Sequence, residues 1–138
     1  MAQRLSVIFA GVPIADSDNG LRVVQADHAP TYYLPPDTVL ASALVLSTRE
    51  TMNNAIGRAT YFDLVINGRR ARNAVWSFPA PTARFEQLRG FVAFYPTSVG
   101  SAYVWDIRVL PQPGDMTGGW VTPNLTGRIK GAAQVVNF

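Results

Sequence analysis

Side chains able to act as a nucleophile, a base or a metal ligand are scarce in this chain of 138 residues. It contains no cysteine and a single histidine, His28, which excludes a thiol nucleophile and any Cys-ligated zinc or iron–sulfur site. A Ser-His-Asp triad would have to use His28, but no serine stands in a Gly-x-Ser-x-Gly elbow. His28 is therefore either a general base or a loop histidine that is hydrogen-bonded locally.

Tyrosine hydroxyls and isolated carboxylates are the groups that remain for chemistry. Such groups catalyse by orienting a substrate and by polarising it. We predict that Tyr33, Asp37, Glu50 and His28 are the catalytic residues, with Asp37 and Glu50 as the acids. In a strand, Tyr32 and Tyr33 point to opposite faces, so that one of them can line a given cavity, and core packing is the alternative for either.

No motif in the sequence indicates a cofactor or a metal. The GxGxxG and GxxxxGK[ST] spacings are absent, and the acidic residues form no cluster of the kind that binds a metal ion. Lys130, the only lysine, lies in a tail with no sign of a desolvated pocket. We therefore expect any activity to need no cofactor and no metal, and to proceed without a covalent enzyme intermediate.

The elements that must position these residues are predicted to be strands. Ten prolines and eleven glycines punctuate the chain at short intervals, which argues against a helical bundle. Between them lie β-rich runs at residues 5–9, 21–25, 31–34, 60–66, 70–78 and 103–109. We predict a mostly β, compact single-domain fold of β-barrel or tent type, with a core domain at 1–110 and an irregular C-terminal arm at 111–138 packed on it.

The strongest local signal is the dipeptide Asn67-Gly68, which favours a two-residue hairpin turn. The register that follows pairs Leu64 with Ala71, Asp63 with Arg72, and Ala59 with Trp76. One short helix is predicted after Pro81 and Thr82, because apolar residues recur at Phe85, Leu88 and Val92. The run 38–46 fits a buried strand or a short helix, and its β-branched residues favour the strand.

Charge and hydropathy indicate a cytoplasmic protein. The formal net charge is +3, carried by scattered arginines, and neither a secretory signal nor a membrane span is found. A net charge of +3 spread along the chain is small for a nucleic-acid-binding domain, so nucleic acid is not an expected partner. A homo-oligomer is left open.

Four motifs follow one another in order: His28-x-Pro30-x-Tyr32-Tyr33-x-Pro35-x-Asp37, Gly57-x-Ala59-x-Tyr61, Asn73-Ala74-x-Trp76-Ser77-x-Pro79 and Val92-Ala93-Phe94-Tyr95. Together they resemble the domain-of-unknown-function family 427 (DUF427). The tail, with Gly118-Gly119-Trp120, looks like the C-terminal extension of one branch of that family. The resemblance implies a compact, mostly β fold of tent or barrel type with one short helix.

The chain departs from the family pattern at three polar positions. The resemblance implies a glutamate at Gln25, and a cysteine and a lysine at Asn53 and Ile56. Loss of these groups beside retained aromatic residues makes a pocket more apolar. We predict a cavity for a small organic molecule, with substrate-binding residues Tyr32, Gln25, Asn53, Tyr61, Trp76 and Trp120, and activity of cyclase, isomerase or lyase type if the protein is an enzyme. The alternative is a non-catalytic module in which Arg58, Arg69, Arg70 and Arg72 bind an acidic protein or nucleic acid.

Overall fold

The computed structural model describes residues 4–24, 31–95, 101–104, 107–108, 110–111, 120–121 and 134–137. The described residues form thirteen strands: β1 (Leu5–Phe9), β2 (Val12–Ser17), β3 (Leu21–Val24), β4 (Thr31–Tyr33), β5 (Leu44–Asn53), β6 (Gly57–Ile66), β7 (Arg69–Ser77), β8 (Val92–Phe94), β9 (Ser101–Val104), β10 (Ile107–Arg108), β11 (Leu110–Pro111), β12 (Trp120–Val121) and β13 (Gln134–Asn137). Three short 3-10 helices cover Pro36–Thr38, Ala41–Ala43 and Ala83–Leu88. The predicted mostly β class is confirmed.

All strand pairs in the described residues are antiparallel and belong to four sheets. The strand orders are β10-β9-β1-β2, β13-β3-β4, β5-β6-β7-β8 and the small pair β11-β12. Leu34 and Val92 exchange two backbone hydrogen bonds of 2.8 and 2.9 Å, which join the β4 edge to the β8 edge. This junction brings Tyr33 on β4 beside Trp76 on β7. Within the described residues no sheet closes on itself, so the fold there is not a closed barrel.

The β6–β7 hairpin forms as predicted near its turn but not farther along. Asn67 and Gly68 both have positive φ, and Leu64 faces Ala71 as expected. A bulge then shifts the register by two residues, so that Trp76 faces Tyr61 instead of Ala59. The predicted pair of Asp63 with Arg72 is also wrong. At the bulge Asn73 takes a positive φ, and its N–H donates to the carboxylate of Asp63 on the neighbouring strand.

Two other segments differ from the sequence prediction. Residues 38–43 are not a strand, because Pro35-Pro36 start a 3-10 turn in which both the N–H and the hydroxyl of Thr38 donate to the Pro35 carbonyl. The predicted helix is a 3-10 helix, Ala83–Leu88, with a kink at Phe85. Strand β2 contains Pro13 and was not among the predicted strands. The proline is tolerated there because β2 is an edge strand.

The buried side chains form two clusters on opposite faces of the β3–β4 strands. One cluster contains Tyr32 together with alternate residues of β1, and the other contains Tyr33 together with Tyr61 and Trp76. The opposite orientation of the two tyrosines, expected from strand geometry, is confirmed. In the described part of the chain, no helix is both long and apolar enough to cross a membrane.

Candidate functional site

A cavity of about 180 Å³ opens in the second cluster, between strands β4, β5, β6 and β7. The described residues that line it are aromatic, apolar or polar, and none of them is charged: Thr31, Tyr33, Thr51, Met52, Asn53, Ile56, Ala59, Tyr61, Trp76, Phe78 and Tyr95. Tyr33, which is 3% exposed, lies at its floor, and Met52, which is 60% exposed, lies at its rim. A molecule can therefore enter from the β5 side and reach the buried tyrosine.

The floor is a packed set of aromatic rings around Trp76. Its indole ring stands edge-on to Tyr33 at 6.1 Å and lies 4.6 Å from Tyr95, centroid to centroid. The Trp76 Nε1–H donates to the Tyr33 hydroxyl oxygen at 3.1 Å. Within the described residues Trp76 is the one hydrogen-bond partner of that hydroxyl, so the Tyr33 proton is free to bind an acceptor in the cavity.

Burial controls the protonation of Tyr33. Desolvation raises the pKa of its hydroxyl well above the ordinary value of 10.0, and the nearby Tyr61 raises this pKa further. The hydrogen bond from Trp76 favours the phenolate and lowers the pKa, but this effect is smaller than the rise caused by burial. Tyr33 is therefore a neutral hydrogen-bond donor over the whole physiological pH range.

The wall formed by β5 and β6 combines a second tyrosine with a polar rim. The Tyr61 hydroxyl and Thr51 Oγ1 are 3.0 Å apart and share one hydrogen bond. The guanidinium of Arg49 lies over the Tyr61 ring, 4.9 Å from its centroid. The described residues place no carboxylate within ion-pair distance of Arg49.

A tight turn between β5 and β6 closes one end of the cavity. Asn53 Oδ1 accepts hydrogen bonds from the N–H groups of Ala55 and Ile56, at 2.9 and 3.1 Å. Gly57 follows with φ of +135°, where a side chain would be strained and would also approach the Ala80 carbonyl oxygen. Asn53 and Ile56, where the resemblance implies a cysteine and a lysine, both line the cavity.

Four of the predicted site residues meet in this cavity: Tyr33, Asn53, Tyr61 and Trp76. Three others lie elsewhere. Tyr32 is buried in the other cluster, where Arg22 hydrogen-bonds its hydroxyl. Asp37 is exposed in the first 3-10 turn. Glu50 is exposed, and its carboxylate lies 3.5 Å from the guanidinium of Arg58. Gln25, His28 and the side chain of Trp120 lie outside the described residues.

The arginine-rich hairpin is partly neutralised by its own carboxylates. Arg70 Nη1 donates to Asp63 Oδ2 at 2.6 Å, and Arg58 is paired with Glu50. Arg69 and Arg72 are exposed without an ion pair in the described part of the molecule. Within the described residues, two of the four hairpin arginines are therefore paired with a carboxylate, and two are not.

A second hollow, of about 380 Å³, lies beside β2 and is lined by Arg4, Asp16, Ser17, Asp18, Asn19 and Thr38. Arg4 and Asp16 form a two-pronged ion pair there, and this bond lowers the pKa of the Asp16 carboxyl below its ordinary value.

Among the described residues, no three His, Cys, Asp or Glu side chains are grouped so as to hold a metal ion.

Comparison with protein families supports the resemblance found in the sequence. The model of the domain of unknown function DUF427 matches residues 1–105, which is most of the chain. The chain belongs to the DUF427 family. A comparison with curated proteins finds no match. The matched part of this DUF427 member contains all the described residues that line the aromatic cavity.

The sequence analysis missed several residues of this DUF427 cavity. They are Thr31, Thr51, Met52, Ala59, Phe78 and Tyr95. The period of two along a strand could have found Ala59, since it shares a face with Tyr61 on β6. The β5 residues gave no such signal, because β5 itself was not recognised as a strand beyond residue 46.

Proposed function

We propose that this protein binds a small organic molecule with one ring in the cavity between β4, β5, β6 and β7. The observation that carries the proposal is the buried Tyr33 hydroxyl, which accepts from Trp76 and keeps its own proton for a ligand. Buried donors in proteins are nearly always satisfied, so a donor that points into a cavity favours a ligand with an acceptor oxygen. The buried part of that ligand is uncharged, because none of the described lining residues carries a charge.

The size of the cavity supports a single ring. An apolar cavity of about 150 Å³ accommodates benzene, whereas pockets for drug-sized ligands begin at about 300 Å³. The value of about 180 Å³ leaves room for one ring and a short substituent. Trp76, Tyr95 and Phe78 offer ring faces and edges for stacking, which favours a flat ligand.

The same arrangement supports turnover without a cofactor as the second part of the proposal. A carbonyl oxygen bound to the Tyr33 O–H is polarised, and charge that develops on it in the transition state strengthens this bond. Such polarisation assists ring closure at the carbonyl carbon, or a keto–enol isomerisation in which water takes the proton from the adjacent carbon and the carbonyl oxygen gains one. The proposal assigns the polarisation to Tyr33 and does not use Asp37 or Glu50, which are not among the lining residues.

Ligand-observed NMR with phenol and 4-hydroxybenzamide tests the binding. We expect dissociation constants of about 0.1–10 mM, as is usual for molecules of this size. Tyr33→Phe removes the donor and keeps the ring, so it should weaken binding about 5- to 10-fold. Tyr32→Phe makes the same change on the opposite face of β4 and should leave binding unaltered. Absence of binding by the parent protein, or equal loss in both variants, would contradict the proposal.

Once a substrate is found, Tyr33→Phe also tests catalysis. Removal of one donor to a developing oxyanion lowers kcat about 100-fold or more. Asp37→Asn and Glu50→Gln are the comparison variants for the predicted carboxylate roles. A kcat that falls in Asp37→Asn but not in Tyr33→Phe would move the chemistry away from this cavity.

A further inference from the structure

The guanidinium of Arg49 lies over the ring of Tyr61, a lining residue of the aromatic cavity, and Arg49 has no carboxylate partner in the described residues. We propose that the ligand of this cavity is a ring carboxylate, whose ring occupies the cavity and whose carboxylate binds the guanidinium of Arg49 at the rim. This inference rests on the proposed function and adds the chemical class of the ligand. The acceptor oxygen bound by Tyr33 then lies on the opposite side of the ring from the carboxylate.

The first argument is that a bulge in β5 precedes Arg49, whose guanidinium lies over the ring of the lining residue Tyr61. Leu46 faces Phe62 and Glu50 faces Thr60, so the three residues 47–49 stand together opposite Tyr61. Bulges of this kind re-aim a side chain and are frequent next to functional sites. Here the bulged strand directs the Arg49 guanidinium onto the Tyr61 ring, 4.9 Å from its centroid.

The second argument is that hydrogen bonds hold this bulge in place. Ser47 Oγ accepts from the Arg49 N–H at 3.1 Å and donates to Asn73 Oδ1. Asn73 is itself the bulged residue of β7, and its N–H is bound by Asp63. A chain of polar contacts from β6 through β7 to β5 therefore fixes the backbone that carries Arg49.

The third argument is electrostatic. The described lining residues hold no charge to neutralise a carboxylate, so a charged group is expected to remain at the exposed rim, where desolvation is small. The planar guanidinium binds a carboxylate through two parallel hydrogen bonds, and stacking on Tyr61 fixes the orientation of its plane. The aromatic floor and the rim arginine thus select for a flat molecule with one charged end.

Isothermal titration calorimetry with 4-hydroxybenzoate and 4-hydroxybenzamide tests the inference, because the two probes have nearly the same shape, and the substituent is an anionic acceptor in one and a neutral amide in the other. We expect the carboxylate to bind about 3- to 10-fold more tightly than the amide. Arg49→Gln should remove this preference by weakening the carboxylate, with a change of less than about twofold for the amide. Arg69→Gln makes the same charge change at the exposed end of the hairpin and should alter neither probe.

Salt provides an independent measurement on the parent protein. Raising the ionic strength from about 0.05 M to about 0.5 M should weaken the carboxylate probe and leave the amide unchanged. Equal binding of both probes, or equal loss in Arg49→Gln and Arg69→Gln, would overturn the inference while the proposed function stands. If neither probe binds, the proposed function fails, and the inference fails with it.

Discussion

Replacement of Asp63 by alanine tests how the hairpin sets Trp76 beside Tyr61. The Asp63 side chain is almost buried, and its two oxygens have separate tasks. Oδ1 accepts the Asn73 N–H at 2.8 Å, and Oδ2 accepts Arg70 Nη1 at 2.6 Å. The first bond holds the bulge that shifts the β6–β7 register by two residues.

The magnitude follows from the two bonds. Without Asp63 the Asn73 N–H is left without its partner in a part-buried site, which costs about 1–3 kcal/mol. The ion pair adds less than about 1 kcal/mol, because the Arg70 side chain is 43% exposed and its charge is screened by water. We expect Asp63→Ala to lower the free energy of unfolding by about 2–3 kcal/mol.

Urea denaturation followed by far-ultraviolet circular dichroism measures this loss, and two further variants separate the bonds. Arg70→Ala removes the ion pair alone and should cost less than about 1 kcal/mol. Asp63→Asn keeps an acceptor for the Asn73 N–H and should fall between the other two variants. If Asp63→Ala and Arg70→Ala cost the same, the carboxylate does not hold the bulge, and the reasoning is refuted.

Three other perturbations give clear expectations. Trp76→Ala should lower the free energy of unfolding by about 3–5 kcal/mol, because the buried ring leaves a cavity; an unchanged melting temperature would show that the ring contributes no packing. Burial raises the pKa of Tyr33 in the folded state. The contribution of Tyr33 to the free energy of unfolding is therefore complete below the ordinary pKa of 10.0 and is lost as the pH rises above that value. Stability should therefore fall in alkali, and Tyr33→Phe should reduce that fall, as measured by melting across pH; identical profiles would contradict the assignment. Gly68→Ala should cost about 1–2 kcal/mol in urea denaturation because Gly68 has φ of +81°, and a neutral result would mean that the turn adopts another conformation.

The sequence by itself determined the class of the fold and its most local features. A two-residue hairpin turn requires positive φ at both central positions, and Asn67 and Gly68 adopt it readily. This local preference specifies the turn and the pairing next to it. The opposite orientation of Tyr32 and Tyr33 follows from the period of a strand and needs no tertiary information. The family could also be identified from the order and spacing of its motifs.

The tertiary structure decided which residues share the cavity. The register of β7 depends on Asp63, which is ten residues away from Asn73 in the chain, so no local pattern could place Trp76 opposite Tyr61. Likewise, Tyr33 reaches Trp76 only because Leu34 pairs with Val92, a contact of high sequence separation. Long-range backbone pairing and bulges bring these groups together, whereas periodicity records only the neighbours within one strand.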